Sequence, residues 1–315
     1  MLSRRQIAMG LGLWAAAPSI GASQEAAQPA GLPDPQDDPG LETGTDLALR
    51  MTGPVRVNDR GPFNFVVDTG ANRSVIAEER AAELGLPPAG LVSLHGIGGV
   101  ETVPTVRVDR FEVGALATRD LRMPVLPRRR LGVDGLIGLD ALDKRMVEMD
   151  FRRGRLRLAR SRPKTVGVSR LTQGVERPGL SVAARYRFGQ LTVVDARSGT
   201  TNLTAFIDSG SQVTVGNSAL RDVVRLRQLD IPDLNRVVPI FSVTSQTAYG
   251  EFAVLRSLRL GETKLVNLPV VFSDLHTFGL WGLNDTPALL LGIDTLSLFG
   301  SVTLDFGRHE VVFNP

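Results

Sequence analysis

The chain makes the same statement twice. "FNFVVDTGANRSVI", Phe63 to Ile76, is a run of apolar strand residues that delivers one carboxylate, Asp68, into a turn of small residues. "LTAFIDSGSQVTVGN", Leu203 to Asn217, does the same with Asp208. Far downstream of the first, Leu136 opens "LIGLDAL", followed by "VEMDFRRGRLRL"; downstream of the second, Leu290 opens "LLGIDTL", followed by "VTLDFGRHEVVF". The order is identical and the spacing similar, 70 residues from Asp68 to Gly138 and 84 from Asp208 to Gly292. An internal repeat constrains a fold more than any single motif. Each copy must build the same unit, and the two units must be placed against each other.

Between these landmarks run short alternating apolar stretches such as "VRV", "TVRVDRFEV", "RMPVLP" and "RLRLA". Turn residues such as Asn58-Asp59-Arg60-Gly61 punctuate them, which is an all-β pattern. Two helices are predicted within it: Ala77 to Leu84, ended by Gly85 and Pro87, and Ala141 to Arg145, with Asp140 as its cap. The polar, Pro- and Gly-bearing stretch from Arg160 to Gly179 reads as a connector. The expected organisation is an export signal at 1–23, a disordered linker at 24–45, a lobe at 46–160, a connector at 161–177 and a second lobe at 178–315.

The first of these segments, "MLSRRQIAMGLGLWAAAPSIGASQ", has a basic head, an apolar stretch from Ile7 to Ala17 and small residues at Ala22 and Ser23. That is the layout of an export signal. Its apolar part, broken by Pro18, is shorter than the ~20 residues that cross a bilayer. Arg4 and Arg5 suit a twin-arginine signal, and an ordinary secretory signal accounts for them equally well. The expected location is the periplasm or cell envelope. The stretch that follows, "QEAAQPAGLPDPQDDPGLETGT", is too rich in Pro, Gly and acidic residues to fold.

Composition removes several chemistries. No cysteine is present, so thiolate catalysis and cysteine-ligated zinc are absent. The three histidines, His95, His276 and His309, form no metal-ligand spacing, and no metal or other cofactor is implied. A net charge of +3 asks for no nucleic-acid partner.

On its paired Asp-Thr/Ser-Gly turns and paired downstream Gly strands, the chain from Asp46 to Pro315 resembles the retropepsin-like aspartic proteases in their bacterial, exported, single-chain two-lobe form. The resemblance implies an all-β fold of two similar acid-protease β-barrel lobes about a pseudo-twofold axis, each with a short helix. It implies a catalytic pair, Asp68 and Asp208, in a monomer with pseudo-dimeric lobes that acts on a polypeptide substrate. Thr69, Gly70, Ser209, Gly210 and Ser211 would support the dyad, with Thr69 and Ser209 cross-bracing the two turns. Gly138 and Gly292 would lie in the strand threading near each turn. The hairpin "LHGIGGVET", Leu94 to Thr102, and the vaguer "SVTSQTAYG", Ser242 to Gly250, would close over substrate. Ala71, Asn72, Ile97, Gly98 and Gln212 would meet it, in pockets made apolar by Val75, Ile97, Val213 and Val215.

The chemistry follows from the pairing itself. Two adjacent carboxylates cannot both ionise cheaply, so they share a proton. One takes a proton from water while the other donates to the developing oxyanion. The glycines would free the turn backbone and let N–H groups face the carboxylates. The hydroxyl of Ser211, where the first turn has Ala71, would donate to Asp208 and place the dyad's charge there.

Other readings stand beside these. Asp68 and Asp208 can be read as two capped turns, and Asp140 and Asp294 as helix caps. The arginine runs at Arg128 and Arg152 read as solvated loop and strand-edge charge. "GIGG" at Gly96 lacks the βαβ context of a nucleotide site. The Asn72-Arg73-Ser74 sequon sits where a glycan would block the cleft. Asn72 and Gln212 are neutral where many relatives carry Asp, which keeps open the rival function, a peptide-binding or adaptor module of the same fold.

Overall fold

The computed structural model describes residues 41–42, 44–45, 50–161, 180–187, 190–193, 196–227 and 237–315. The segment read as an export signal, most of the 24–45 linker and nearly all of the 161–177 connector lie outside the described residues. Within the expected linker, Leu41–Glu42 pairs with Arg155–Arg160, and Gly44–Thr45 pairs with Met51–Val57. Sheet pairing therefore begins a few residues before the position expected for the first lobe.

The protein is all-β, with two similar retropepsin-like lobes, and the repeat is visible strand by strand. In the first lobe Arg60–Val67 runs parallel to Gly135–Ile137, with Phe65 opposite Gly135 and Val67 opposite Ile137. Val75–Ala77 lies antiparallel on the other side of that strand, Val75 opposite Leu136. In the second lobe Thr204–Ile207 runs parallel to Ala288–Leu291, and Val215–Gly216 lies antiparallel with Val215 opposite Leu290. The apolar strand before each repeated Gly is thus threaded between the two arms of its own acidic loop. Such a strand is covered on both faces, which explains a continuous apolar run in place of alternation. Leu136, Ile137, Leu290 and Leu291 are all buried.

The third repeated segment joins the lobes. Arg145–Asp150 pairs antiparallel with Ser301–Asp305, setting Val147 opposite Leu304 and Met149 opposite Val302. All four side chains are fully buried. Each contributes on the order of 2 kcal/mol by leaving water. A one-residue slip would turn all of them outward, so this register is strongly specified. Arg155–Arg160, Glu310–Asn314 and Leu180–Arg187 extend the shared sheet.

The first predicted helix is present as Glu78–Glu83. The second is displaced. It spans Leu139–Leu142 with Gly138 at its N-cap and no side-chain cap, and Arg145 already belongs to a strand. Asp140 is therefore not the cap, and neither is Asp294, whose helix Ile293–Leu296 begins at Gly292. Each lobe also projects a hairpin. The first joins Pro88–Gly96 to Gly99–Val113 through Ile97 and Gly98, and the second joins Val237–Phe241 to Thr247–Leu260 through residues 242–246.

Candidate active site

The two acidic loops meet face to face. Asp68 N–H donates to the Ile137 carbonyl and Asp208 N–H to that of Leu291, so each threaded strand fixes the start of its loop. Thr69 Oγ1 donates to the Ile207 carbonyl at 3.0 Å and accepts from Ser209 N–H at 3.0 Å. Ser209 Oγ returns the arrangement, donating to the Val67 carbonyl at 2.7 Å and accepting from Thr69 N–H at 3.2 Å. Both hydroxyl residues are buried. Four crossed bonds in a site shielded from water hold one loop to the other.

The carboxyl groups of Asp68 and Asp208 are brought together above this brace, each set against the glycine of the other loop and each influencing the other's ionisation. Asp68 Oδ1 accepts from the N–H groups of Gly70 and Ala71, each at 3.0 Å. Asp208 Oδ1 accepts from Gly210 at 2.9 Å and Ser211 at 3.1 Å. The glycines serve close approach. Neither adopts a left-handed backbone, but a methyl on Gly70 would overlap the Asp208 carboxyl, and one on Gly210 would overlap that of Asp68.

Charge is not shared evenly. Burial pushes Asp208 up to about 8, helped by the neighbouring Asp68 and opposed by the Gly210 and Ser211 N–H groups. Burial also raises Asp68, but the positive charge of Arg50, then the Gly70 and Ala71 N–H groups and the bond with Asp208, hold it back. Both carboxyls are thus raised, and the Arg50 charge favours the ionised form of Asp68. The Ser211 side chain does not supply the bond on which the charge was expected to rest at Asp208. Its hydroxyl donates to the Val213 carbonyl at 2.9 Å, leaving only its backbone N–H for Asp208. The cation that acts on Asp68, Arg50, is buried, donates to the Leu131 carbonyl at 2.8 Å and lines the same cleft.

A second, matched brace lies below each loop. Ser74 N–H and Oγ both donate to Asp140 Oδ1, at 2.8 and 2.6 Å, and Gly138 N–H donates to Ser74 Oγ. In the other lobe Thr214 N–H donates to Asp294 Oδ2 at 3.0 Å, Thr214 Oγ1 donates to Asp294 Oδ1 at 2.7 Å, and Gly292 N–H donates to Thr214 Oγ1. Burial raises both carboxyls above the usual carboxylate range despite these bonds. The signal was present in the sequence, since a hydroxyl stands six residues after each dyad Asp.

The hairpins close over the dyad and exchange apolar residues. Ile97, at the first tip, packs on the second lobe's cluster around Phe206, Ile240 and Leu290, while Val243 packs on the first lobe's cluster around Val66, Val75 and Leu136. Glu101 clasps them. Its Oε2 accepts from Ser245 N–H and from Arg130, both at 2.9 Å, and these bonds hold its carboxyl below the usual range. Gln246 Nε2 donates to the Val100 carbonyl at 3.0 Å. His276 N–H donates to the Ile97 carbonyl, and the imidazoles of His95 and His276 meet Nδ1 to Nε2 at 3.0 Å.

Beneath them runs a cleft of about 430 Å³. Asp68, Gly70, Ala71, Asn72, Ile97, Asp208, Gly210, Ser211 and Gln212 line it, with Val75 and Val213. Two expected members are elsewhere. Gly98 faces Ser242 and Gln246 of the other hairpin, and Val215 is a fully buried core residue. Sequence reasoning missed Arg50, Phe241 and Trp281, which also line the cleft.

Residues 53–141 match a family model described as aspartyl protease. The matched stretch contains Asp68, Ser74, the first hairpin and Asp140, and supports aspartic protease activity in general. No curated protein matches the chain.

Proposed function

We propose that this protein is an aspartic endopeptidase that hydrolyses peptide bonds with water activated between Asp68 and Asp208. The observation that carries the reading is the meeting of the two acidic loops, cross-braced through Thr69 and Ser209, which sets each carboxyl against the other loop's glycine. Asp68, ionised beside Arg50, takes a proton from water as its oxygen attacks the peptide carbonyl carbon. Asp208 gives its proton to the carbonyl oxygen, forming a neutral tetrahedral diol. In the second step the amide nitrogen takes the proton held by Asp68, Asp208 takes one back from a diol hydroxyl, and the carbon–nitrogen bond breaks. The pair ends as it began, with one proton between two carboxyls. The N–H groups on each Oδ1 keep both carboxyls oriented throughout, so little reorganisation is needed during reaction.

The hairpins supply the cover. An extended peptide held between them and the acidic loops would be shielded from bulk water, and its entry requires the Glu101 clasp to open. One chain supplies both loops, which supports a monomer. The basic head and apolar stretch at the N-terminus support work outside the cytoplasm, on exported or membrane-anchored proteins.

A denatured protein substrate incubated with the wild type, Asp68→Asn and Asp208→Asn between about pH 4 and 7 tests the reading. Cleavage by the wild type alone is expected. Equal inactivity of all three would favour the rival, a peptide-binding module, which draws on neutral Asn72 and Gln212 in the cleft and on the clasped hairpins.

A further inference from the structure

The two sides of the cleft differ in chemistry. Beside Asp68, the first lobe lines it with Arg50, Arg73 and Arg130, while the second, among the described residues, offers no charged side chain except Asp208 and presents Phe241, Leu280 and Trp281. Two of the arginines are engaged. Arg130 donates to both oxygens of Glu101, at 3.1 and 2.9 Å, and Arg50 is buried against Leu131 with its charge acting on Asp68. Arg73 is different. It is exposed, stands five residues after Asp68 on the same loop, and has no ion pair or side-chain hydrogen bond among the described residues. On the opposite side Phe241 and Leu280 are also exposed, at 77% and 54%. The charge of Arg73 favours the ionised form of Asp140, but no bond among the described residues fixes it, so the cleft is lined by an exposed guanidinium from one lobe and large apolar surface from the other.

We propose that Arg73 sets substrate choice: the cleft selects an extended peptide carrying an acidic side chain close to the scissile bond, paired with Arg73, and a large apolar residue seated against Phe241, Leu280 and Trp281. This rests on the endopeptidase reading for its placement, but the preference is a property of binding. A guanidinium presents a planar fork that meets a carboxylate through two hydrogen bonds, a match that a neutral side chain cannot make. A free acid would be repelled from a cleft containing charged Asp68, and Arg73 offsets that repulsion where the peptide must lie. A lysine at the same peptide position would face Arg73 as a like charge, so the discrimination is attractive and repulsive together.

The test uses the full chain and short fluorescein-labelled peptides with an Ala-Leu-Phe-Ala core, flanked on either side by Glu, Gln or Lys. Cleavage rates are ranked for the wild type, Arg73→Glu and Arg73→Gln. Binding is ranked by anisotropy for Asp68→Asn and for Asp68→Asn combined with Arg73→Glu, which do not cut. The expected result is a preference for Glu over Lys of at least about fivefold, inverted by Arg73→Glu and flattened by Arg73→Gln. Arg73 is exposed, so these variants should fold; matching thermal melts verify it. If the wild type cuts with no order among the peptides, or Arg73→Glu keeps the wild-type order, the proposal fails and the protease stands. If binding shows the order and its inversion without cleavage, hydrolysis fails and the selectivity stands. If neither cleavage nor ordered binding appears, both fall.

Discussion

Thr69 and Ser209 hold each other's loops through a reciprocal pair of bonds, Ser209 N–H to Thr69 Oγ1 at 3.0 Å and Thr69 N–H to Ser209 Oγ at 3.2 Å. Each hydroxyl also donates to a carbonyl of the opposite lobe, so each is fully employed in a buried site. Thr69→Ala would leave the Ser209 N–H and the Ile207 carbonyl without partners. The expected cost is about 1–3 kcal/mol, read as a lower melting temperature. Thr69→Ser, which keeps the hydroxyl, should recover most of it. Equal melting of the alanine variant and the wild type would show that the crossed bonds do not hold the lobes together.

Arg50 should govern the acid limb of the pH–rate profile. Its charge favours the ionised form of Asp68, so Arg50→Gln should move that limb to higher pH. Ser211→Ala should leave it in place, because the Ser211 hydroxyl is turned to Val213. The opposite pattern, a moved limb in Ser211→Ala and an unmoved one in Arg50→Gln, would return the charge to Asp208.

How far these roles could be read beforehand differs residue by residue. That Asp68 and Asp208 belong together was legible because strand, turn and threaded strand occur twice in the same order. The hydroxyl brace at Thr69 and Ser209 was legible as soon as the loops were set face to face. Ser74 and Thr214 carried a signal, the same offset from each Asp, yet their partners Asp140 and Asp294 look like helix caps because each stands at the start of a short helix. Only three-dimensional placement shows that these carboxylates reach back to the loop. Arg50 left no local trace, since its influence depends on burial against Leu131, remote in sequence. Ser211 misled because a hydroxyl three residues after a carboxylate in the same turn is an obvious donor to it, whereas the turn offers it the Val213 carbonyl.

Burial of Asp208 has a consequence for stability. Its carboxyl rises from the ordinary 3.8 to about 8 in the folded protein. Below the ordinary value both states are protonated. Between the two values the unfolded chain gives up its proton while the folded chain keeps it, so stability falls as pH rises through that window and levels off above it. Asp208→Asn removes this dependence. Its melting temperature should gain on the wild type progressively from about pH 4 to pH 8 and then run parallel. A constant difference across the whole range would contradict the raised value.

Glu101, on the first hairpin, bonds Ser245 of the second and Arg130 of the short helix Arg128–Leu131. Glu101→Ala should loosen both hairpins at once. Amide hydrogen exchange over residues 94–102 and 242–250 should quicken by roughly tenfold, with little change in the sheet shared by Val147 and Leu304. Acceleration in only one hairpin, or in neither, would mean that the clasp is not what closes the cleft.

The most direct measurement is a carbon NMR titration of the wild type labelled at the aspartate carboxyls, with Asp68→Asn and Asp208→Asn used for assignment. The account predicts that the Asp208 carboxyl keeps its proton until about pH 8 while Asp68 ionises first, each step felt at the other site because the pair titrates as one. Two independent transitions, both near the ordinary aspartate value of 3.8, would contradict it.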